Sequence, residues 1–384
     1  MNTTQNTRIA VLGGGPGGLT LARVLQQNGV SCTVYEREGS VVTRPQGGTL
    51  DMQAETGQVA LRTAGLLEKF LAISRPEGQD GRMLDKTGKV RFEHHADPDD
   101  REQPEIDRGQ LRTLLLDSLT PGTVRWHSDV REIIDHGDNY RIDLADGSSH
   151  PADVVIGADG AWSKVRPMLS SAKPEYTGVT FVEIHIENVD ERHPDLADLV
   201  GNGSMHALSD NKALIAQRNS GSNVRVYAAL RVPEDWASTC GIDFSDVATT
   251  GPALRGYFSD WAPQLLALID ASDKAFVPRP LYTLPFPHTW VARRGMTLVG
   301  DAAHLMSPFS GLGANLAMLD GAEIAVELAT AINAGTPVDD AIARYESVMQ
   351  PRGAEAAEGA AKGIDIAIAA DAPLGALRFF GQDV

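Results

Sequence analysis

The sequence predicts an α/β protein, α+β overall. It should have a Rossmann-like dinucleotide-binding domain, a second domain on a mostly antiparallel sheet, and a long C-terminal helix. Three observations predict this. A short apolar run, Ile9-Ala10-Val11-Leu12, passes through a glycine-rich turn into a helical stretch, Leu19 to Gln27, and then into a second strand-like run that ends at Glu36. Gly178 to Asn188 and again Asn223 to Val232 alternate apolar with polar residues, the signature of half-buried strands. From Val338 to Ala370 the chain is Ala-rich with helical spacing.

Composition narrows the class. The 384 residues suggest two or three domains, and 42% hydrophobic with 22% charged content is that of a globular protein. A net charge of −17 argues against a nucleic-acid backbone or an anionic membrane surface as partner. Cys32 and Cys240 are too far apart in sequence for a metal pair, and no zinc or disulfide spacing exists, so no metal site is expected. The polar stretch Met1 to Arg8 has no signal-peptide character and no apolar span follows, so a cytoplasmic protein is expected.

Taken in order, Gly13-x-Gly15-x-x-Gly18 opens the first helix, and Glu36 lies 18 residues after Gly18. Gly13 suits the tight turn, Gly15 admits a pyrophosphate, Gly18 lets helix and strand pack closely, and Glu36 takes ribose hydroxyls. This predicts a dinucleotide site without choosing between FAD and NAD. Arg37 to Asp51 reads as an exposed loop in which Arg37 and Arg44 are free to meet phosphates. Ala54 to Leu71 reads as helix, and Asp85-Lys86-Thr87-Gly88 as the turn of a hairpin. Asp107 is a candidate N-cap for a helix through Leu119, whose Arg108 and Arg112 share a face and could reach one anion.

Val124 to Asp135, Tyr140 to Leu144 and Asp153 to Ile156 read as strands. The loop after the last contains Asp159, Ser163 and Arg166, with Asp159 capping the turn. In the alternating region, Phe181, Glu183, His185 and Glu187 share one face, and Asn223, Arg225, Tyr227 and Arg231 the matching one. Solvent is the expected cover for that polar face, with a ligand cavity the alternative. Asp243 to Leu254 and Trp261 to Ile269 read as helices, and Pro280 to Pro287 returns the chain to the first domain.

Met296-Thr297-Leu298-Val299 is a further buried strand, ended by Gly300 and Asp301. A Pro/Gly-rich loop follows, with Pro308, Phe309 and Gly311, and then a helix beginning Leu312-Gly313-Ala314. Asp301 can accept hydrogen bonds from a polyol, and the helix N-terminus favours phosphate or a polarised carbonyl. Gly311 and Gly313 allow backbone to approach a flat ligand. His304 reads as a residue that fixes this loop rather than as a base. Near Pro351 and Gly353 the last helical segment is expected to break.

The three motifs Gly13-x-Gly15-x-x-Gly18 with Glu36, Gly157-Ala158-Asp159-Gly160 through Arg166, and Gly300-Asp301 through Asn315 together resemble the class A, single-component FAD-dependent monooxygenases, the aromatic hydroxylase family. Gly47-Gly48-Thr49-Leu50-Asp51, Glu105 to Arg112 and Gly300 to Met306 look most like its tetracycline-inactivating members. The resemblance implies a discontinuous FAD-binding domain (1–75, 103–172 and 276–325), a substrate domain (76–102 and 173–275) and a bridging helical segment (326–384). It implies that Glu36 binds the adenosine ribose, that Arg37, Asp51 and Arg112 lie along the FAD, and that Asp301 holds the ribityl chain. Pro308, Gly311, Leu312, Gly313 and Ala314 would pass beside the isoalloxazine ring, and Arg44 would meet a transient NADPH.

Leu312 stands where many relatives have glutamine, and Glu183, the Gly203/Ser204 region and Arg225 stand where tetracycline-inactivating relatives present Gln, Arg and His. The substrate grip is therefore expected to differ from theirs. Glu183, His185, Arg225 and Phe309 are the substrate-site candidates. The implied activity is hydroxylation of an aromatic, polycyclic or enolic small molecule by the oxygen adduct of the reduced flavin, with NAD(P)H and O2 as co-substrates. Inactivation of a tetracycline-type antibiotic and polyketide tailoring both fit, in a protein expected to be a monomer. The alternatives are an FAD-dependent dehydrogenase or reductase of the same fold and a non-catalytic, ligand-sequestering flavoprotein. A flavin halogenase is disfavoured because no Trp-x-Trp segment occurs.

Overall fold

Ile9–Leu12 is buried along its whole length and forms the middle of a five-stranded sheet. The architecture comes from a computed structural model that describes residues 7–40, 47–97, 99–379 and 381–382. Strand order is Met296–Leu298, Val154–Gly157, Ile9–Leu12, Cys32–Tyr35, Val124–Arg125, and every pairing is parallel. In a parallel sheet all carboxyl ends lie along one edge. The glycine turn after Leu12, Glu36 after Tyr35, the Asp159 loop after Gly157 and Asp301 after Leu298 are therefore neighbours in space though far apart in sequence. Buried aliphatic runs on these strands, including Val11, Val34, Val155 and Leu298, make the first core.

The helices Pro16–Gln27 and Leu312–Ala334 cross glycine to glycine. A Cβ at Gly17 would lie 2.6 Å from the Ala317 carbonyl oxygen, and one at Gly321 would lie 2.3 Å from that of Gly17. The three buried strands and their motif loops are thus clamped by one close helix crossing.

The second sheet has seven strands in the order Val277–Thr283, Glu175–Ile186, Asn223–Arg231, Lys212–Asn219, Ser204–Ser209, Gly81–Leu84, Val90–His94. It is antiparallel except where Ser204–Ser209 meets Gly81–Leu84. Val182, Ile184, Ile186, Val224, Val226 and Ala228 face the helices that include Pro194–Val200, Val247–Gly256 and Pro263–Asp270. The expected two-face alternation is present. Its other face, however, is covered by protein over much of its area. Val179, Phe181, Ile215 and Ala229 on that face pack against Phe309 and against Ile364, Ile368 and Leu377 from the C-terminal helices. A small two-stranded sheet, Thr49–Asp51 with Glu105–Asp107, lies between the two large ones.

Several local expectations change. Ala54 to Leu71 is two short helices, Gly57–Thr63 and Leu67–Leu71, because Gly65 between them turns at φ +65°. Val124 to Asp135 is two strands, Val124–Arg125 and Val130–Asp135, with His127 at φ +57° between them. The helix expected from Asp243 begins at Val247, where Asp246 accepts from Ala248 N–H and caps it. Val338–Ala367 runs unbroken through Pro351. One lost hydrogen bond is outweighed there by the packing of Tyr345, Met349, Ala357 and Ala360 on either side. Val277–Thr283 is the edge strand of the large sheet, so the chain crosses back only after Thr283.

Candidate functional site

The glycine turn behaves as its spacing requires. Gly13 has φ +111°, and a Cβ there would sit 2.2 Å from the Ala158 carbonyl oxygen. Gly18 packs as tightly, 2.2 Å from Gly13 O, whereas a Cβ at Gly15 meets nothing within 4 Å. Two glycines are thus needed for packing, and the third opens onto space. Pro16–Gln27 begins at Gly15 without a side-chain cap, leaving its first N–H groups directed at that space. Glu36 closes the turn from beside it, accepting from Gly14 N–H at 2.7 Å and Glu38 N–H at 2.9 Å.

The second loop is braced rather than flexible. Asp159 Oδ2 accepts from Lys164 N–H at 2.6 Å, and Ser163 Oγ accepts from Val165 and Arg166 N–H. Arg166 is 3% exposed and donates to the carbonyls of Ala161 and Ala302, tying this loop to the one after Asp301. Burial pushes the Asp159 carboxyl up against the lowering effect of Ser163 and Lys164, and among the described residues its Oδ1 has no hydrogen-bond partner. A buried acceptor left open points to a missing donor.

Asp301 is exposed to solvent, yet burial pushes its carboxyl up against the opposing charges of His304, Arg108 and Arg166. Exposure together with dense surroundings describes the floor of an open cleft. Beneath it, His304 donates through Nε2 to Asp320 Oδ2 at 2.6 Å, and Asp320 also accepts from Gly300 N–H at 3.0 Å and Arg352 Nη2 at 2.9 Å. Burial acts most strongly to lower the His304 imidazole, but the Asp320 charge and hydrogen bond, with Asp301, lift it overall. His304 is the loop anchor that the sequence suggested.

Pro308 is exposed, Gly311 turns at φ +68°, and Leu312, Gly313 and Ala314 are half-buried at the helix start. A Cβ at Gly313 would meet nothing within 4 Å. Asn315 staples this corner to the Asp51 strand: Nδ2 donates to Asp51 O at 2.8 Å, and Oδ1 accepts from Gln53 N–H at 3.0 Å. Asp51 itself, raised by burial, accepts from Gln53 Nε2.

Other candidates fall differently. Arg112 is 5% exposed, pairs with Glu38 at 2.7 Å and lies over Trp126. Arg108 is exposed and close to Gly47, so the two arginines do not converge on one anion. Asp107 makes no N-cap bond, because its carboxylate is taken by Arg75, Asn219 and Ser220, joining the small sheet to the large one. Arg37 is exposed, and Arg44 lies outside the described residues.

The covered face of the large sheet meets this corner through Phe309, whose ring lies 5.9 Å from Phe181, itself 5.4 Å from Tyr227. Beside these rings stands a charged cluster. Glu183, 3% exposed, accepts from Arg225 Nη1 and from Arg279 Nε at 2.6 Å. Arg225 also approaches His185 Nε2 at 2.9 Å and donates to Gly47 O at 3.3 Å. Burial would raise the Glu183 carboxyl, but the His185 and Arg279 hydrogen bonds and the two guanidinium charges hold it at about 2. Tyr227 is pushed up by burial and by Glu183, so its phenol stays protonated at neutral pH. Sequence reading put Tyr227 on this face without making it a site candidate, and missed Arg279 and Gln217, whose amide oxygen and the Tyr227 hydroxyl both crowd Gly48. Strand pairing brings them onto this face, and for Arg279 the Pro278-Arg279-Pro280 context hid the strand.

An open glycine cradle at a helix start, a carboxylate on a cleft floor and an aromatic-lined sheet above it define a two-lobed dinucleotide-dependent flavoprotein. The pattern of the FAD binding domain family matches residues 6–236 and 291–360, and the chain belongs to that family, the class A FAD-dependent monooxygenases. It is 32% identical to a Penicillium thymicola protein, monooxygenase penA, over 93% of this chain and 94% of that one. It is 31% identical to a 3-amino-4-hydroxybenzoate 2-monooxygenase of Streptomyces platensis, over 91% and 86%. The fold matches that of Klebsiella pneumoniae HpxO with FAD and uric acid (TM-score 0.80, 22% identity, 98% and 93% covered). It also matches the tetracycline destructase Tet(51) (TM-score 0.72, 21% identity, 98% and 95% covered).

Proposed function

We propose that this family member oxygenates a flat aromatic or enolic small molecule, with NAD(P)H as reductant and O2 as oxidant. The observation that carries this reading is the meeting of the Gly311–Ala314 corner with the Phe181, Tyr227 and Arg225 face of the large sheet through Phe309. The cradle fits FAD in three respects. Gly15 and Gly313 open onto space, Asp159 Oδ1 lacks a donor among the described residues, and Asp301 is exposed on the cleft floor. Gly13, Gly15, Gly18 and Glu36 would hold the adenosine end, Asp159 and Asp301 the middle, and Pro308 and Gly311 to Ala314 the ring. FAD supplies the redox chemistry and the oxygen activation when bound.

The chain's own groups bind, orient and exclude water. Phe181 and Phe309 offer apolar walls, and the Tyr227 hydroxyl offers a proton donor at neutral pH. Glu183, held ionised by two arginines, is too weak a base to take a phenolic proton; it fixes Arg225 instead. The relatives' printed names, a hydroxybenzoate monooxygenase among them, support an aromatic substrate. The tetracycline destructase match, at 21% identity, supports the fold alone.

The test is to load the purified protein with FAD and follow NADPH and NADH oxidation and O2 uptake against phenols, anthraquinones and tetracyclines. Ring-stimulated O2 uptake is expected. Reduction by NAD(P)H that no ring converts into faster O2 uptake would instead favour the dehydrogenase. A flavin that NAD(P)H does not reduce would favour the sequestering protein.

A further inference from the structure

Behind the Asp301 corner, two buried imidazoles each use one ring nitrogen. His304, 4% exposed, gives Nε2 to Asp320 at 2.6 Å, and His288, 8% exposed, gives Nδ1 to the Ala303 carbonyl at 2.5 Å. Among the described residues, His304 Nδ1 and His288 Nε2 have no hydrogen-bond partner. Both rings line one cavity of about 10 Å3, together with Leu284, Ala303, Gln350 and Gly353. That is room for a single water. The long C-terminal helix fixes the His304 ring from one side: a Cβ at Gly353 would sit 2.9 Å from its Cδ2 and 3.1 Å from its Cγ.

The bonds already made decide what each free nitrogen offers. A carbonyl only accepts, so His288 carries a proton on Nδ1. Burial lowers this imidazole and, with the Arg166 and His304 charges, outweighs the Ala303 bond, so the ring is neutral and Nε2 accepts. A carboxylate also only accepts, so His304 carries a proton on Nε2. Burial opposes a second proton, but Asp320 and Asp301 prevail, so Nδ1 carries one below the lifted value and donates. A buried donor and a buried acceptor thus share one cavity, and each left unpaired would bear its full desolvation penalty. Water satisfies both at once. A metal ion would need further ligands, and among the described residues no group of three or more His, Cys, Asp or Glu side chains could hold one.

We propose that one buried water accepts from His304 Nδ1 and donates to His288 Nε2, and that His288 thereby acts as a positioning residue for Asp301. The titratable groups packed around the pair are Asp320 and Glu323 from Leu312–Ala334, Tyr345 and Arg352 from Val338–Ala367, Arg166 from the Asp159 loop, and Asp301 on the short helix of His304 itself. The water bond favours the charged imidazole, and that charge favours the ionised form of Asp301. Asp301 as a cofactor ligand rests on the reading proposed above.

The test uses FAD-loaded protein labelled at the histidine nitrogens. Nitrogen NMR at pH 6 should find His288 protonated on Nδ1 alone and His304 on both nitrogens. A crystal structure should show one water within about 2.7–3.2 Å of both free nitrogens. His288→Phe keeps a flat ring but removes the acceptor. It should lower the His304 titration midpoint by about one unit or more, the worth of a hydrogen bond to a charged group. FAD retention should then fall several-fold further at pH 8 than at pH 6, a difference that lost packing would not produce. His288→Gln, whose amide oxygen accepts, should restore part of both losses. The proposal is overturned by a cavity that holds no water, or holds a metal ion seen in anomalous scattering, or by a proton on His288 Nε2. These are read on the parent protein, so they decide the case even where a variant fails to fold. An unchanged His304 midpoint in His288→Phe overturns it too, as does an equal FAD loss from that variant at both pH values where Asp301→Ala releases FAD. A bridging water and a shifted midpoint, with FAD retention unchanged in Asp301→Ala, would sink the cofactor reading of Asp301 and keep the water. Loss of FAD from Asp301→Ala without a water in the cavity would do the reverse.

Discussion

Replacing Asp320 by alanine tests the idea that the Asp301 corner is held from below. Asp320 has 0% exposure and accepts three donors, His304 Nε2, Gly300 N–H and Arg352 Nη2. Removing one partner of a buried ion pair costs about 3–5 kcal/mol. Arg352 keeps Glu323, at 2.6 and 2.8 Å, so its charge stays compensated and the loss falls on His304 and Gly300. The lower end, about 3 kcal/mol, is therefore expected in urea unfolding at pH 6.

The pH dependence has a definite sign. The His304 imidazole is lifted above its usual 6.5, so its contribution is complete below 6.5 and fades as pH rises through the lifted value. Asp320 is held below 3.8: burial opposes this, but the His304 charge and hydrogen bond and Arg352 prevail. Its contribution is present above 3.8 and fades as pH falls through the lowered value. Asp320→Ala should thus cost more at pH 6 than at pH 9, and it should release FAD because Gly300 and Asp301 lose their support. A loss under about 1 kcal/mol, or an equal loss at both pH values, would refute the anchoring argument.

Two further outcomes are expected. Asp301→Ala should keep the fold and melting cooperativity but weaken FAD retention about 10- to 100-fold, the worth of charged hydrogen bonds, as read by equilibrium dialysis; a variant that stays fully yellow contradicts the assignment. Glu105 is raised to about 7, mainly by burial and then by the Asp51 and Asp107 charges, against the Thr49 hydrogen bond and Arg75. A raised carboxyl stabilises while protonated, so folding loses stability as pH climbs from 4.5 through 7. Glu105→Gln should therefore be more stable than the parent at pH 8 by about 3 kcal/mol and equal to it near pH 4.5, and thermal melts at both pH values check this.

The backbone geometry of the candidate cofactor cradle was legible because it is local. Gly13, Gly15, Gly18 and Glu36 lie within one strand–helix–strand unit, and turn geometry dictates glycine at fixed intervals. Asp301 and the Gly311 corner could be read for the same reason. The substrate half was legible only in part. Alternation put Glu183, His185 and Arg225 on one face, but solvent seemed the natural cover for polar side chains. Arg112 shows the opposite failure: helical spacing aligned it with Arg108, and a partner 74 residues away, Glu38, claimed it.

By itself, the sequence determined that strands, glycine turns and helices alternate into a dinucleotide cradle, and that a separate alternating sheet follows. Only the tertiary structure decided that the polar face of that sheet packs against the Phe309 corner, that Glu183 draws both Arg225 and Arg279 to itself, and that Pro351 leaves its helix whole. The physical reason is range. Backbone conformation and amphipathic period act over a few residues, whereas burial and ion pairing depend on which distant segment arrives opposite, and strand register and helix packing settle that.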